Sequence, residues 1–195
     1  MITAKFRRCH TVTAKWEGGW SNHKADPGGK TMYGITEAVY HAWLRRKGLP
    51  ARPVREITRS DAESIFFANY WQAAKCERIA RGVDLATYDS AVNSGVSRGR
   101  KWLLASIGGP NDQTVRRMCA ARLAFVRGLS TWKSFGKGWS NRIADIERTG
   151  VAWAREPSPE VTLDFPPIIT PPLPTKADRG NFLLDLIRFI WSKLS

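Results

Sequence analysis

Three residues near the N-terminus, Glu17, Asp26 and Thr31, have the types and the spacing to carry out acid–base chemistry. Glu17 ends a predicted helix in the stretch KWEGGW, where a helix C-terminus and two flanking tryptophans both disfavour a charged carboxylate. A carboxyl group that stays protonated near neutral pH can protonate the leaving oxygen of a glycosidic bond. Asp26, in the turn that follows, can activate water or stabilise an oxocarbenium-like transition state.

Each of these carboxylates also has a structural interpretation. A glutamate before two glycines is common at a helix end, where it is a solvated surface charge. Asp26-Pro27-Gly28 is a frequent turn sequence, because Pro fixes φ and Gly permits a positive φ. Gly28 and Gly29 would let a substrate approach the backbone closely. From residue types alone, both interpretations of Glu17 and of Asp26 stay open.

The elements that must position these residues are predicted to be mostly α-helical. Apolar residues recur at helical spacing over residues 3–17 and end at a Gly-Gly pair. Residues 21–36 are rich in turn formers, which predicts a loop with a short irregular hairpin. Ser60 and Glu63 match a capping box at the start of another helix. The remaining predictions are helices over 36–46, 60–75, 84–93, 98–107, 112–129 and 139–154, with a glycine-rich turn over 134–138.

The charge of the chain indicates an acidic partner. Lys and Arg number 31 against 17 Asp and Glu, a formal net charge of +14 in 195 residues. Nucleic acid, an anionic membrane face and a polyanionic polymer such as a cell wall all fit that charge. The basic residues are scattered and no nucleic-acid-binding signature is present, so we expect no nucleic-acid partner. The three cysteines and three histidines lack metal-ligand spacing, which predicts buried, inert thiols, no metal and no cofactor.

The composition changes at Pro157. Residues 157–179 hold seven of the eleven prolines and predict an extended linker. Residues 180–195 predict an amphipathic helix that is too short to span a bilayer. Three interpretations stay open for it: packing on the body, binding a membrane surface, or contact with a partner. Its apolar contact residues are Phe182, Leu183, Leu186, Ile187, Ile190 and Trp191.

The stretch EGGWSNHKADPGGKTMYGIT, Glu17 to Thr36, resembles the signature of glycoside hydrolase family 108, whose members are bacterial and phage muramidases. The family pattern is E-G-G-Y followed by D-P-G-G-x-T-x-Y-G-I-T, and here Trp20 replaces the tyrosine. YDSAVNSG over 88–95 and FGKGWSNRIADIER over 135–148 resemble further family segments. The spacing of Glu17, Asp26 and Thr31 is also similar to that of T4-type phage lysozymes.

The resemblance implies a mainly α, lysozyme-like fold with a small loop or hairpin lobe. It also implies a lysozyme-like catalytic region over 1–97 and peptidoglycan-binding helices packed on it over 98–156. By the same analogy Glu17 is the general acid, and Asp26 and Thr31 orient the attacking water. Asp89, Arg142 and Glu147 are expected to have structural roles, and Trp139 is expected in the core. The residues expected to contact substrate are Trp20, Gly28, Gly29, Tyr33, Tyr70 and Asn93.

The expected reaction is hydrolysis of the β-1,4 bond between N-acetylmuramic acid and N-acetylglucosamine in peptidoglycan. We expect a monomeric phage or prophage endolysin, made in the host cytoplasm without a signal peptide and released to act on the cell wall. The open alternatives are a lytic transglycosylase, a secretion-associated muramidase, and a non-catalytic protein that binds the cell wall or nucleic acid.

Overall fold

Seven α-helices and one two-stranded antiparallel sheet form the part of the chain that the structure, a computed structural model, describes: residues 1–22 and 29–157. The predicted mainly α fold with a small hairpin lobe is confirmed, whereas the linker and the C-terminal helix lie outside the described residues. Met1–Glu156 form one compact unit, and the division of that unit at residue 97 stays a prediction. The elements are α1 (Ala4–Thr13), β1 (Thr31–Met32), β2 (Ile35–Thr36), α2 (Glu37–Arg46), α3 (Arg59–Phe66), α4 (Val83–Ser94), α5 (Val96–Ser106), α6 (Asn111–Arg127) and α7 (Trp132–Arg155).

The N-cap of α3 lies two residues earlier than the sequence predicted. Thr58 has extended backbone angles, and its hydroxyl oxygen accepts a hydrogen bond from the Asp61 backbone N–H at 3.0 Å. The same hydroxyl donates to the Asp61 carboxylate at 2.8 Å. Ile57, just before it, is buried and anchors the incoming chain, so the helix begins at the first capping residue that follows. Ser60 and Glu63 therefore lie inside the helix. The predicted helix also does not run unbroken to residue 75, because α3 passes into a π-helical segment at Phe67–Gln72.

The predicted glycine-rich turn over 134–138 is wrong, because these residues belong to the first turns of α7. Gly136 is buried beneath the indole ring of Trp132, and a Cβ on Gly136 would lie only 2.6 Å from that ring. The glycine therefore lets the tryptophan fold back over its own helix. Packing of this kind outweighs the low intrinsic helix propensity of glycine.

The core surrounds α4, in which every residue from Val83 to Ala91 is buried. A helix that is buried on all sides must have neighbours on every face, and α4 contacts α1, α5, α6, α7 and the π-helical segment. The three free cysteines, Cys9, Cys76 and Cys119, are buried as predicted. Burial raises the pKa of each thiol, that of Cys119 to about 12.

Within the described residues, no helix combines the length and the apolar character that crossing a membrane requires. The same residues contain no cluster of three or more His, Cys, Asp or Glu side chains arranged to hold a metal ion.

Candidate active site

Glu17 lies just beyond the C-terminal end of the first helix. After α1 the chain makes one 3₁₀ turn, Ala14–Trp16, and Glu17 follows with extended backbone angles (φ −89°, ψ 130°). Its N–H donates to the Ala14 carbonyl at 3.2 Å, which closes the turn. The side chain is then directed away from the helix and retains 18% exposure. The predicted placement of this carboxyl group at a helix end is confirmed.

The hairpin of residues 31–36 packs against that carboxyl group. Tyr33 and Gly34 both have positive φ values, 52° and 74°, as a two-residue type I′ turn between paired strands requires. The turn places Gly34 directly beside Glu17, so that a Cβ on Gly34 would overlap the Oε2 atom of Glu17. The Tyr-Gly pair in the sequence therefore shapes the surroundings of Glu17.

Arg142 of α7 is the ionic partner of Glu17. Its Nη2 donates to Glu17 Oε1 at 2.8 Å, and the guanidinium side chain is only 7% exposed. The sequence predicts two tryptophans beside this carboxyl group, and the structure adds a guanidinium group. Of those tryptophans, Trp16 donates its indole N–H to Asp145 at 3.1 Å, and Trp20 is 39% exposed.

A buried aspartate holds Arg142 in place. Asp89 Oδ1 accepts from Arg142 Nη2 at 2.8 Å, and both of its oxygens accept from Arg142 Nε at 3.1 Å. Arg122 of α6 donates to Asp89 Oδ2 at 2.6 Å and to the Asn93 side-chain oxygen at 2.9 Å. Burial by itself would raise the pKa of Asp89, but Arg122 and Arg142 hold it below its ordinary value. Burial by itself would lower the pKa of Arg142, but Asp89 and then Glu17 raise it above its ordinary value.

An open cleft of about 870 Å³ lies over Glu17. Its walls come from the segment after α1, the hairpin, the C-terminal end of α4 and the first half of α7. Among the described residues that line it, Glu17 is the only carboxylate. The lining residues are Trp16, Glu17, Gly18, Gly19, Ser21, Thr31, Gly34, Val92, Asn93, Ser134, Phe135, Gly138, Trp139 and Arg142.

Two of the residues predicted around Glu17, Thr31 and Asn93, line this cleft with it. Thr31 lies on β1, is joined to Ser21 by a pair of 2.9 Å backbone hydrogen bonds, and donates its hydroxyl to the Gly29 carbonyl at 3.2 Å. Because Asn93 already accepts from Arg122, its amide group has a fixed orientation at the cleft wall.

The other predicted contact residues lie elsewhere. Trp20 and Gly29 do not line the cleft, and the Arg55 guanidinium lies over the Trp20 ring at 5.3 Å. Tyr33 lines a small cavity of about 100 Å³ on another side of Glu17. Tyr70 lies in the π-helical segment, where burial and then the charge of Glu17 raise its pKa. Asp26, Gly28 and the six C-terminal contact residues lie outside the described residues.

Sequence reasoning missed the contribution of α7 to the cleft. Phe135, Trp139 and Arg142 are spaced by four and three residues, which places them on one face of a helix. This spacing was visible in the sequence, but the glycines around it indicated a turn. The structural ion pair expected for Arg142 is present with Asp89, and Arg142 also pairs with Glu17. Trp139, expected in the core, is half-buried and lines the cleft.

Comparisons with known proteins agree with this architecture. The family model Glycosyl hydrolase 108 matches residues 10–95. The structure of Brucella abortus SagA is similar to this chain, with 32% sequence identity and a TM-score of 0.67 over 77% of this chain and 96% of SagA. A comparison with curated proteins found no match. The similarity to SagA extends well beyond the matched motif and supports the lysozyme-like fold. The chain therefore belongs to the glycosyl hydrolase 108 family of peptidoglycan hydrolases, and it is a glycoside hydrolase.

Proposed function

We propose that this protein is a muramidase that cleaves the β-1,4 bond between N-acetylmuramic acid and N-acetylglucosamine, with Glu17 as the general acid. One observation carries the proposal: the carboxyl group of Glu17 lies in an open cleft of about 870 Å³ and is held from two sides, by Arg142 and by the hairpin. A cleft that is open to solvent can admit a glycan strand.

In the proposed reaction Glu17 gives its proton to the glycosidic oxygen as the bond from that oxygen to the anomeric carbon breaks. A water molecule then forms a new bond to the anomeric carbon, and the proton that it loses passes to solvent, from which the Glu17 carboxylate is reprotonated. The products are a new hydroxyl group and a new reducing end. Thr31 lines the cleft with Glu17, and we assign it, with Asp26, to the orientation of that water.

The aromatic residues of α7 suit a sugar substrate. Phe135 is 56% exposed, and its ring centroid lies 5.7 Å from that of Trp139. Together they form an apolar wall on the same cleft as Glu17. The CH-rich faces of hexose rings pack against such aromatic surfaces. An exposed pair of this kind supports binding of a glycan strand along the first half of α7.

The basic surface suits the carboxylates of the cell wall. Peptidoglycan carries lactyl and peptide carboxylates, and a positive surface raises the rate of encounter with them. One part of this surface lies next to the hairpin, where the Arg59 guanidinium lies over the Tyr33 ring at 4.9 Å. Between residues 45 and 59 a single acid, Glu56, accompanies the cations Arg45, Arg46, Lys47, Arg52, Arg55 and Arg59.

A lytic transglycosylase is the second candidate, and a specific observation favours it. Glu17 is the only carboxylate among the described residues that line the cleft, and such an enzyme uses one acid and no water. Its product is a 1,6-anhydro end in place of a reducing end. The two candidates share the fold and the cleft and differ in the product.

The decisive experiment compares Glu17→Gln with the wild type on purified peptidoglycan, with mass spectrometry of the released muropeptides. We expect the variant to be folded and inactive, and the wild type to release reducing ends. Anhydro ends would assign the transglycosylase reaction. A Glu17→Gln variant that clears walls as fast as the wild type would leave only a non-catalytic, wall-binding role.

We also propose the role of a phage or prophage endolysin, which acts in the periplasm or on the cell wall after release. Expression of the chain in a Gram-negative host, with and without a membrane-permeabilising holin, tests this role. Lysis that requires the holin supports it. Lysis that is equally fast without the holin argues against it.

A further inference from the structure

A buried ionic cluster lies behind Arg142, and its members Asp89 and Arg122 take no step in the reaction proposed above. Asp89 on α4 is completely buried and accepts hydrogen bonds from Arg122 on α6 and Arg142 on α7. Burying an aspartate and two arginines has a large desolvation cost, and apolar residues of similar size would fill the same space without it. The position of Arg142 between Asp89 and Glu17 suggests what the cluster does.

Arg142 is held by two of its nitrogens. Nε donates to both Asp89 oxygens at 3.1 Å, and Nη2 donates to Asp89 Oδ1 and to Glu17 Oε1, each at 2.8 Å. Because a guanidinium group is planar and rigid, these contacts determine the orientation of the whole guanidinium group of Arg142. Arg142 thus reaches Glu17 through one N–H group, at Oε1, and makes no hydrogen bond to Oε2.

We propose that Arg142, held by Asp89, is a positioning residue that reserves the Oε2 atom of Glu17 for the catalytic proton. The inference rests on the proposed function of Glu17 as the general acid. Arginine can only donate hydrogen bonds, so the oxygen that it contacts, Oε1, acts as the acceptor and the proton is carried by Oε2. Oε2 is also the oxygen that lies against Gly34, a residue of the cleft wall.

The cluster also sets the electrostatic surroundings of Glu17. Arg122, Asp89 and Arg142 together carry one net positive charge, because Asp89 neutralises one of the two arginines. Among the described residues, the other ionisable groups near Glu17 are His10, Tyr33 and Arg59, which line the small cavity with it, and the hydroxyls of Tyr70 and Tyr88. Loss of Arg142 removes positive charge next to Glu17. Loss of the Asp89 negative charge instead increases the net positive charge of the cluster. The two changes must therefore move the protonation of Glu17 in opposite directions.

The test measures kcat and KM as a function of pH on a soluble glycan fragment for three variants. In Arg142→Gln we expect kcat to fall by roughly tenfold or more, because the acid loses its orientation. The basic limb of its kcat profile, which reports loss of the acid proton, should move to higher pH. In Asp89→Asn the same limb should move to lower pH. Arg142→Lys retains the charge but not the planar fork, so its limb should stay near that of the wild type while kcat falls.

A matched control ion pair joins α6 and α7 outside the cleft. Arg155 on α7 and Asp112 on α6 form a 2.8 Å ion pair, and neither residue lines the cleft. Arg155→Gln and Asp112→Asn should change neither kcat nor the basic limb of the kcat profile. If Asp89→Asn does not fold, the comparison of Arg142→Gln with Arg142→Lys decides the question.

The inference is overturned if folded Arg142→Gln keeps the wild-type kcat and pH profile, or if its basic limb moves to lower pH. Glu17→Gln, assayed in parallel, separates this result from a failure of the proposed function. An inactive Glu17→Gln beside an unchanged Arg142→Gln rejects only the positioning role. An active Glu17→Gln rejects the general acid itself.

Discussion

The backbone of Gly34 lies directly against the carboxyl group of Glu17, so that a Cβ at residue 34 would lie 3.2 Å from the Cδ atom of Glu17 and overlap Oε2. Gly34 also has a φ of 74°, a backbone conformation that strains residues with a Cβ. The hairpin can therefore approach the candidate acid this closely only with glycine at its tip.

This contact predicts that Gly34→Ala lowers activity more than its effect on stability explains. We expect a loss of about 1 kcal/mol in the free energy of unfolding from the positive φ and a fall in kcat of roughly tenfold or more from the displaced carboxyl group. Gly48→Ala is the matched control, because Gly48 has a φ of 68° and no neighbouring atoms within 4 Å of a Cβ. Denaturant unfolding and wall-clearing assays should show similar stability losses in both variants but an activity loss only in Gly34→Ala.

The aromatic wall on α7 predicts a binding defect. Phe135→Ala removes an exposed ring from the cleft and should raise KM about fivefold with little change in kcat, which corresponds to roughly 1 kcal/mol of lost stacking. Leu104→Ala removes a similarly exposed apolar side chain from α5 outside the cleft and should leave KM unchanged. Equal KM values for all three proteins would remove Phe135 from the substrate-binding surface.

His10 predicts a loss of stability in mild acid. Its ring stacks on Phe6 and its Nδ1 lies 2.8 Å from the Tyr88 hydroxyl, and burial lowers its pKa, an effect that the charge of Glu63 partly opposes. Below the ordinary pKa of 6.5, the unfolded chain takes up a proton at this site that the folded protein does not yet bind.

The free energy of unfolding should therefore decrease as the pH falls from about 6.5 towards the lowered pKa of His10. Urea unfolding at a series of pH values measures this slope, and His10→Gln should make it shallower even if the variant is less stable throughout. His41→Gln, on the surface of α2, should retain the wild-type slope. A slope in His10→Gln equal to that of the wild type would exclude His10 as its source.

Removal of residues 157–195 should separate wall cleavage from membrane binding. Met1–Glu156 form one compact unit that contains the whole described cleft, so the truncated protein should cleave purified peptidoglycan at the rate of the full chain. The sequence of residues 180–195 predicts an amphipathic helix, and membrane-surface binding is one of its three open interpretations. On that interpretation, co-sedimentation with anionic liposomes should fall. Undiminished liposome binding by the truncated protein would contradict the membrane role.

The parts of the fold that the sequence predicted well depend on signals between near neighbours. Helical periodicity and stop signals located most of the helices to within a few residues. The Gly-Gly pair marked the end of the segment that carries Glu17, and the turn-rich stretch after it does contain a hairpin. The prediction failed where packing overrides local preference, because Trp132 and Gly136 extend α7 through a segment whose glycines suggested a turn.

The sequence by itself identified Glu17 and the family, because the motif from Glu17 to Thr36 is continuous along the chain. Only the tertiary structure identified the partners of Glu17. Arg142 lies 125 residues away from it and Asp89 lies on a third segment, so neither pairing has a local signature. Folding brings α1, α6 and α7 together around α4, and the low dielectric of that core makes the charges of Arg142 and Asp89 matter to Glu17.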